Sequence, residues 1–541
     1  FDLNGWLWTI TGTFGFGAAG SAGVATFGNG ALEVENNVNI WNAQKLILNG
    51  GTSLFKNRMI TQVGGVIEVG GGSHVFGPSK PEEAAAKGLL LYSSPLGGPS
   101  LRVTNGIVRV TDQLTTVIDH KVDISLEGGT LRNESGAYGF VMEGPGTLDV
   151  HSNAVLDIRG KRCYFGRRKG LSTLNILGGA VSNTAPANAH VGSAYAPGST
   201  SVVNLVDGIF YSSGSMGFAG TSGAQTNAVG ILRQSGGRVH MGSTLQFGYG
   251  VGSVGIYTQS GGTAWCNQLR LGDNNGSGSQ GLVYLAGGTL ALNSPPYLGS
   301  GNGCTGCIYQ TGGELLVSNW VHVGAATNAF GLYHFKGGNA QINSSVTLGY
   351  VTSGSGQMII EDSGLSVAGR VDIGYGESST GELVVAGGSF ALPTGEQNIG
   401  RGSNSLGRLC VTGGEMTFGN DVYVGAAGGA QGGVYLTDGV LASYGTSHGY
   451  RLGQVSGATG ELVVAGGQLR ALNRYSILAG CAEGAYGSVT ISGGTNDIRS
   501  LRIGHQGGQG LLRITGGKTY VTNEVDYTFT FANAGVSPLS R

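Results

Sequence analysis

Between Gly281 and Asn404 the sequence repeats itself about every 25 residues. The lines GLVYLAGGTLALNSPPYLGSGNGCT, GCIYQTGGELLVSNWVHVGAATNAF, GLYHFKGGNAQINSSVTLGYVTSGS, GQMIIEDSGLSVAGRVDIGYGESST and GELVVAGGSFALPTGEQNIGRGSNS begin at Gly281, Gly306, Gly331, Gly356 and Gly381. Each has a Gly, a short alternating run, a Gly-Gly corner, a second run, and a third run that closes on Gly. A period in this range signals a stacked-repeat architecture. In the line from Gly306, the pairs Ile308 and Gln310, Leu315 and Val317, and Val321 and Val323 share one face, because strand side chains alternate with a period of two. Gly312-Gly313 separates the first two runs, as do Gly287-Gly288, Gly337-Gly338, Gly387-Gly388 and Gly413-Gly414 in their lines. Glycine supplies the backbone angles that a sharp corner needs. The third run closes on Gly299, Gly324, Gly349, Gly374, Gly400 and Gly425.

Three short strands joined by corners make one turn of a coil, and a single turn cannot bury its apolar side chains alone. Stacked turns bury them as one column, each strand pairing in parallel with its equivalent one turn later. The expected fold is therefore all-β: a single-stranded parallel β-helix (β-solenoid) with about 25 residues and three short strands per coil. Roughly seventeen coils at about 4.8 Å each would give a rod of roughly 80 Å. A β-propeller repeats at about forty residues or more, a leucine-rich repeat carries a fixed Leu and Asn frame missing here, and outer-membrane barrel strands are about twice as long as these runs.

The frame divides the chain into an atypical N-terminal coil or cap (1–45), early coils with insertions (46–145), a regular β-helix (146–522) and the C-terminal end of the stack (523–541). The first segment holds Trp6, Trp8, Phe14, Phe16, Phe27 and Trp41, which read as a cover for the open end or as a stacking surface for sugar rings. SKPEEAAAKG at 79–88 carries the signals of a short helix: Ser79 as cap, early Glu82 and Glu83, Gly88 as stop. After Val521 the frame dissolves. Gln234, Gln259 and Gln310 recur in one inward slot, which predicts a ladder of amides bonded to one another along the column.

Composition limits function. Charged residues are 11% and the formal net charge is −1, which does not match a general nucleic-acid binder. No apolar run reaches about eighteen residues, so no membrane insertion by this chain is expected. A chain that starts at Phe1 without a signal peptide reads as a mature or excised piece of an exported protein. Six cysteines in this length do not make a disulfide framework. Cys163 and Cys266 point into the column, Cys410 points outward and Cys481 lies in a loop. Cys304 and Cys307 form a CxxC at a corner, open to three readings: metal half-site, local disulfide or two free thiols.

One segment is dense in charge. IRGKRCYFGRRKG at 158–170 holds Arg159, Lys161, Arg162, Arg167, Arg168 and Lys169, either a solvated loop or a patch for an anionic glycan, lipopolysaccharide or acidic protein. Parity puts Cys163 and Phe165 inward and Arg162 and Tyr164 outward.

A polysaccharide-cleaving β-helix needs two carboxylates on neighbouring strands. Outward acids are sparse (Glu314, Glu382, Glu415, Asp421, Glu461), and the equivalent slots one line on hold Asn339 after Glu314 and Val440 after Glu415. Asp497, Arg499, Arg502 and His505 are partial echoes of lyase and pectinase signatures. Asp273 and its Asn-Asn-Gly successors form a weak calcium loop. No catalytic, cofactor or metal-binding set is assigned.

GELVVAGGSFAL, GRLCVTGGEMTFGNDVYVG and GELVVAGGQLRAL resemble the Gly-rich β-strand repeats of bacterial autotransporter-type and other large exported surface proteins, over roughly residues 100–520. The resemblance implies a right-handed coil, export, and an adhesive or structural role at the bacterial surface. The expectation is an extracellular scaffold or adhesin, a rigid fibre element whose partners are its own copies, end to end or laterally, or surface glycans. The alternative is a polysaccharide-active lyase or glycosidase, or its non-catalytic carbohydrate-binding relative.

Overall fold

The computed structural model describes the chain apart from residues 1–5, 13, 16–21, 42–43, 78–88, 93–99, 112–113, 117–120, 135–138, 160–161, 168–169, 185–189, 195, 221–225, 274–277, 446–447 and 528–541. The helix expected at 79–88 lies outside the described residues. The fold is a parallel β-solenoid with turns of about 25 residues. It divides into two compact units, Phe1–Ile342 and Asn343–Arg541.

In the first unit the coil from Gly306 has its three runs at Thr305–Gln310, Glu314–Val317 and Val321–Val323. Thr305–Gln310 pairs in parallel with Gln280–Leu285 before it and Phe330–Phe335 after it, glycine against glycine at Gly281, Gly306 and Gly331. Leu290, Leu315 and Ala340 stand in single file, all buried. The second unit repeats the arrangement: Leu383, Leu409, Val434, Leu462 and Val489 are register partners from coil to coil and are almost wholly buried.

Two local expectations change. In several coils of the first unit the first two runs fuse into one bent strand, as at Gln44–Phe55, Val66–Phe76, Leu171–Asn183 and Thr200–Ser212, with the corner kept as a register shift. At the other end of the sequence the frame does not stop at Val521. Strand Lys518–Tyr527 runs on beside Thr495–Ile503, pairing Val525 with Leu501 and Tyr527 with Ile503. This run lacks the closing glycine that marks the frame in the lines before it. Near the N-terminus Leu7–Ile10 pairs with Ala31–Val34, while Trp6 and Trp8 are 77% and 44% exposed.

The glycines serve distinct ends. The second corner glycine takes a left-handed backbone, φ 65° at Gly313 and 64° at Gly414. The first is replaceable: Asp207 and Asp438 occupy it, each accepting a hydrogen bond at 2.7 Å from the following glycine's N–H. The glycine that opens each line has an ordinary φ but faces inward against backbone. A Cβ on Gly407 would overlap the Gly400 nitrogen and stand 2.7 Å from the Ile399 carbonyl carbon and 2.9 Å from the Ile373 carbonyl oxygen. Here the first run passes so close to the third that only hydrogen fits.

The amide ladder does not form. Gln234, Gln259 and Gln310 are all buried, but their amides donate to backbone carbonyls: Gln310 Nε2 to Asn339 at 2.8 Å, Gln259 Nε2 to Thr289 at 3.0 Å and Gln234 Nε2 to Thr263 at 3.2 Å. Leu285 interrupts the slot between Gln259 and Gln310, and even the adjacent register partners Gln234 and Gln259 turn their amides to carbonyls and not to each other. The acceptor oxygens turn to tyrosines one coil later. Tyr257 donates to Gln234 at 2.6 Å and Tyr333 to Gln310 at 2.7 Å. Gln259 has Val283 in that position and its Oε1 is unpartnered. Gln310→Leu is expected to cost roughly 1–3 kcal/mol, because it leaves the Tyr333 hydroxyl buried without an acceptor. Adding Tyr333→Phe should recover most of that loss, and Gln259→Leu should cost much less than Gln310→Leu. Urea unfolding of the wild type, Gln310→Leu, Tyr333→Phe and the double variant measures the coupling, with Gln259→Leu as the comparison.

Candidate binding surface

Charges on the outer faces are matched between coils. Lys45 reaches Glu68 at 2.5 Å and Arg102 reaches Glu127 at 2.7 Å. Arg109 reaches Glu134 at 2.7 Å. The hydrogen bonds that Lys56 donates to Glu33, and then to Glu35, push its amine up to about 12. Side chains one coil apart lie about 4.8 Å from each other, so an acid and a base in successive lines meet with little reorganisation.

The basic segment obeys the same rule where it is described. Arg159 pairs with Asp157 at 3.1 Å, which Arg132 also reaches at 2.8 Å. Arg167 pairs with Glu143 at 2.5 Å. Arg162 opens the strand Arg162–Phe165, its backbone beside His190. Its side chain, and Lys161, Arg168 and Lys169, are outside the described residues. Cys163 and Phe165 face inward as expected, but Tyr164 is also buried, at 3% exposure, and the Arg167 guanidinium lies 5.9 Å from its ring centre. The arginine folds back over an outward ring, a step that parity does not describe.

In the second unit two acids are sunk among bases. Asp372 is fully buried and accepts from Asn398 Nδ2 at 2.7 Å and Arg401 Nη1 at 2.5 Å, with Arg370 Nε at 2.9 Å. Arg401 in turn covers Tyr375, 4.5 Å from the ring centre. Asp421, one of the acids that parity puts outward, is only 5% exposed, with His448 and Arg451 over it at 3.4 and 3.7 Å. Register confirms Asn339 beside Glu314 and Val440 beside Glu415.

A serine–histidine pair exists, but inside the column. Ser53 and His74 are 5% and 1% exposed, with Ser53 Oγ 2.8 Å from His74 Nδ1. Nε2 lies 2.6 Å from the Gly71 carbonyl, so it carries the proton and Nδ1 accepts from the serine. Desolvation lowers the His74 pKa. This geometry satisfies two polar groups buried in the column. All six cysteines are free. Cys304 and Cys307 are buried thiols, and Ser279 Oγ donates to Cys304 Sγ at 3.0 Å. Burial pushes Cys266 up to about 12 and Cys481 up to about 11. Among the described residues no three His, Cys, Asp or Glu side chains gather as metal ligands, and no helix is long and apolar enough to cross a membrane.

The feature that linear reading missed is aromatic. In the first unit each face carries a row of rings one coil apart. On the first runs Tyr284 stacks on Tyr309 at 5.2 Å. On the second runs Tyr211 stacks on His240 at 5.3 Å and His240 on Trp265 at 4.4 Å. On the third runs Tyr297 stacks on His322 at 5.2 Å, with the Arg270 guanidinium 5.8 Å from Tyr297. Comparing each line with the next, position by position, would have found them. In the second unit His448 stacks on Tyr475 at 5.1 Å, and Arg474 and Arg502 lie 5.3 and 5.0 Å from that ring.

The class that these features define is a parallel β-solenoid with interlocked outer side chains. Comparison with protein-family models, curated proteins and solved structures finds no match for the chain.

Proposed function

We propose that the chain is an extracellular structural scaffold with an adhesive surface, part of a bacterial surface protein. The observation that carries this reading is the outer faces themselves. Acids meet bases and rings meet rings from coil to coil, so the surface side chains brace the stack (Lys45 with Glu68, Arg109 with Glu134, His240 with Trp265). Such bracing suits a spar that works in an unprotected medium. The Gly-rich lines resemble those of exported surface proteins and agree with it. An antibody against the folded chain, applied to intact and to lysed cells of the source, tests the location. Equal labelling of both supports the proposal; labelling only after lysis overturns it.

A further inference from the structure

The second runs of the first unit carry an outward row whose members are register partners: Tyr211, His240, Trp265, Ala291, Leu316 and Gln341. The first three are stacked rings, inclined by 15° and 17° to one another. At Ala291 the row loses its ring. His240 covers one face of the half-buried Trp265 indole, and the register partner on the other side, Ala291, brings only a methyl group. Trp265 and Leu316 are two coils apart, about 9.6 Å between strands, which is the room that one further flat ring needs.

Polar groups border this gap on both sides. Two residues before Ala291, Thr289 Oγ1 donates to Glu314 Oε2 at 3.1 Å. Two residues after it, Asn293 Nδ2 donates to Asn267 Oδ1 at 3.1 Å, and Ser294 Oγ donates to the same oxygen at 3.1 Å. The Glu314 carboxylate and the exposed Asn293 amide keep further hydrogen-bonding capacity.

We infer that the gap over Ala291 is a binding site for a hexopyranose unit of a neutral glycan. The sugar places its C–H face on the free face of Trp265, a large rigid apolar surface. Its ring-edge hydroxyls donate to Glu314 and accept from Asn293. The carboxylate disfavours uronates, sulfated sugars and phosphates by like-charge repulsion. The inference rests on the surface-scaffold reading and names what that surface recognises.

The test is calorimetric titration of the full chain with cellohexaose, mannohexaose and xylohexaose, and with oligogalacturonate as the acidic counterpart. The expected result is binding of at least one of the two hexose oligomers, cellohexaose or mannohexaose, and none of the acidic one. Trp265→Ala should weaken that binding by about tenfold or more, the scale of one lost stacking contact. Ala291→Tyr continues the ring row into the gap, so it should weaken binding equally while leaving hydrogen-exchange protection of the second runs at or above the wild-type level. That variant separates a binding defect from a folding defect. No binding of either hexose oligomer, preference for the acidic or pentose oligomer, or wild-type affinity in Ala291→Tyr overturns the inference. The purified chain answers this wherever the protein resides in the cell, so failure here and failure of the labelling experiment are distinguishable.

Discussion

Gly407→Ala is expected to destabilise the second unit by roughly 3 kcal/mol or more, at the severe end for one added methyl group. The methyl has nowhere to go. It overlaps the Gly400 nitrogen, and its other neighbours are the Ile399 and Ile373 carbonyls. All are backbone atoms, and moving them breaks parallel pairing with the neighbouring coils. Gly407 itself pairs with Gly381 and Gly432 on either side, so a shift of its own strand propagates as well. Gly23→Ala is the control: nothing lies within 4 Å of its added Cβ, and its φ needs no glycine. That substitution should be neutral or stabilising by about 0.5 kcal/mol, through the lowered entropy of the unfolded chain. Urea unfolding and hydrogen exchange of the two variants should diverge sharply. Equal effects would overturn the close approach of the neighbouring third run as the reason for the opening glycine.

This contrast marks where linear reading succeeds. Periodicity of two, corner glycines and closing glycines each follow from one line of sequence, and they determine the solenoid and its register. The opening glycine of each line is visible, but its reason lies in the third run of the line before it. Contacts between coils were harder still. Arg159 and Arg167 looked like an anionic-partner patch because their acids, Asp157 and Glu143, sit outside the charge run or a coil earlier. The burial of Asp372 is not legible in one line, because its shell comes from Arg370, Asn398 and Arg401, on two coils. The glutamines lie in the column as their spacing predicts, but they bond to carbonyls and tyrosines and not to one another. Parity says which way a side chain points, but not whether an amide prefers a neighbouring amide, a carbonyl or a tyrosine. The rings of Tyr211, His240 and Trp265 are 25 to 29 positions apart and become one object only when the lines are superposed.

Acid should loosen the first unit through His322. This side chain belongs to an outward row, yet it is only 6% exposed, lying on Tyr297 with Trp320 6.1 Å away. Desolvation lowers its pKa to about 4. In the unfolded chain the same imidazole titrates near 6.5, so between these values the unfolded state holds a proton that the folded state rejects. The stability it contributes is complete well above pH 6.5, falls as the pH drops through 6.5 toward 4, and levels off below 4. The loss is about 2 kcal/mol at pH 5 and about 3 kcal/mol at pH 4. His74, also held below its ordinary value by burial, adds in the same direction. His322→Phe keeps a flat ring against Tyr297 and removes the proton site. Hydrogen exchange of peptides covering 296–324, comparing the two proteins at each pH, cancels the intrinsic pH dependence of exchange. The variant should be the better protected of the two at pH 5, relative to their difference at pH 7.5, by about thirtyfold in the exchange ratio, which is 2 kcal/mol expressed as an equilibrium constant. A ratio that does not change between these pH values would mean that the imidazole charges without leaving its place against Tyr297, and the burial argument for this row would fall with it.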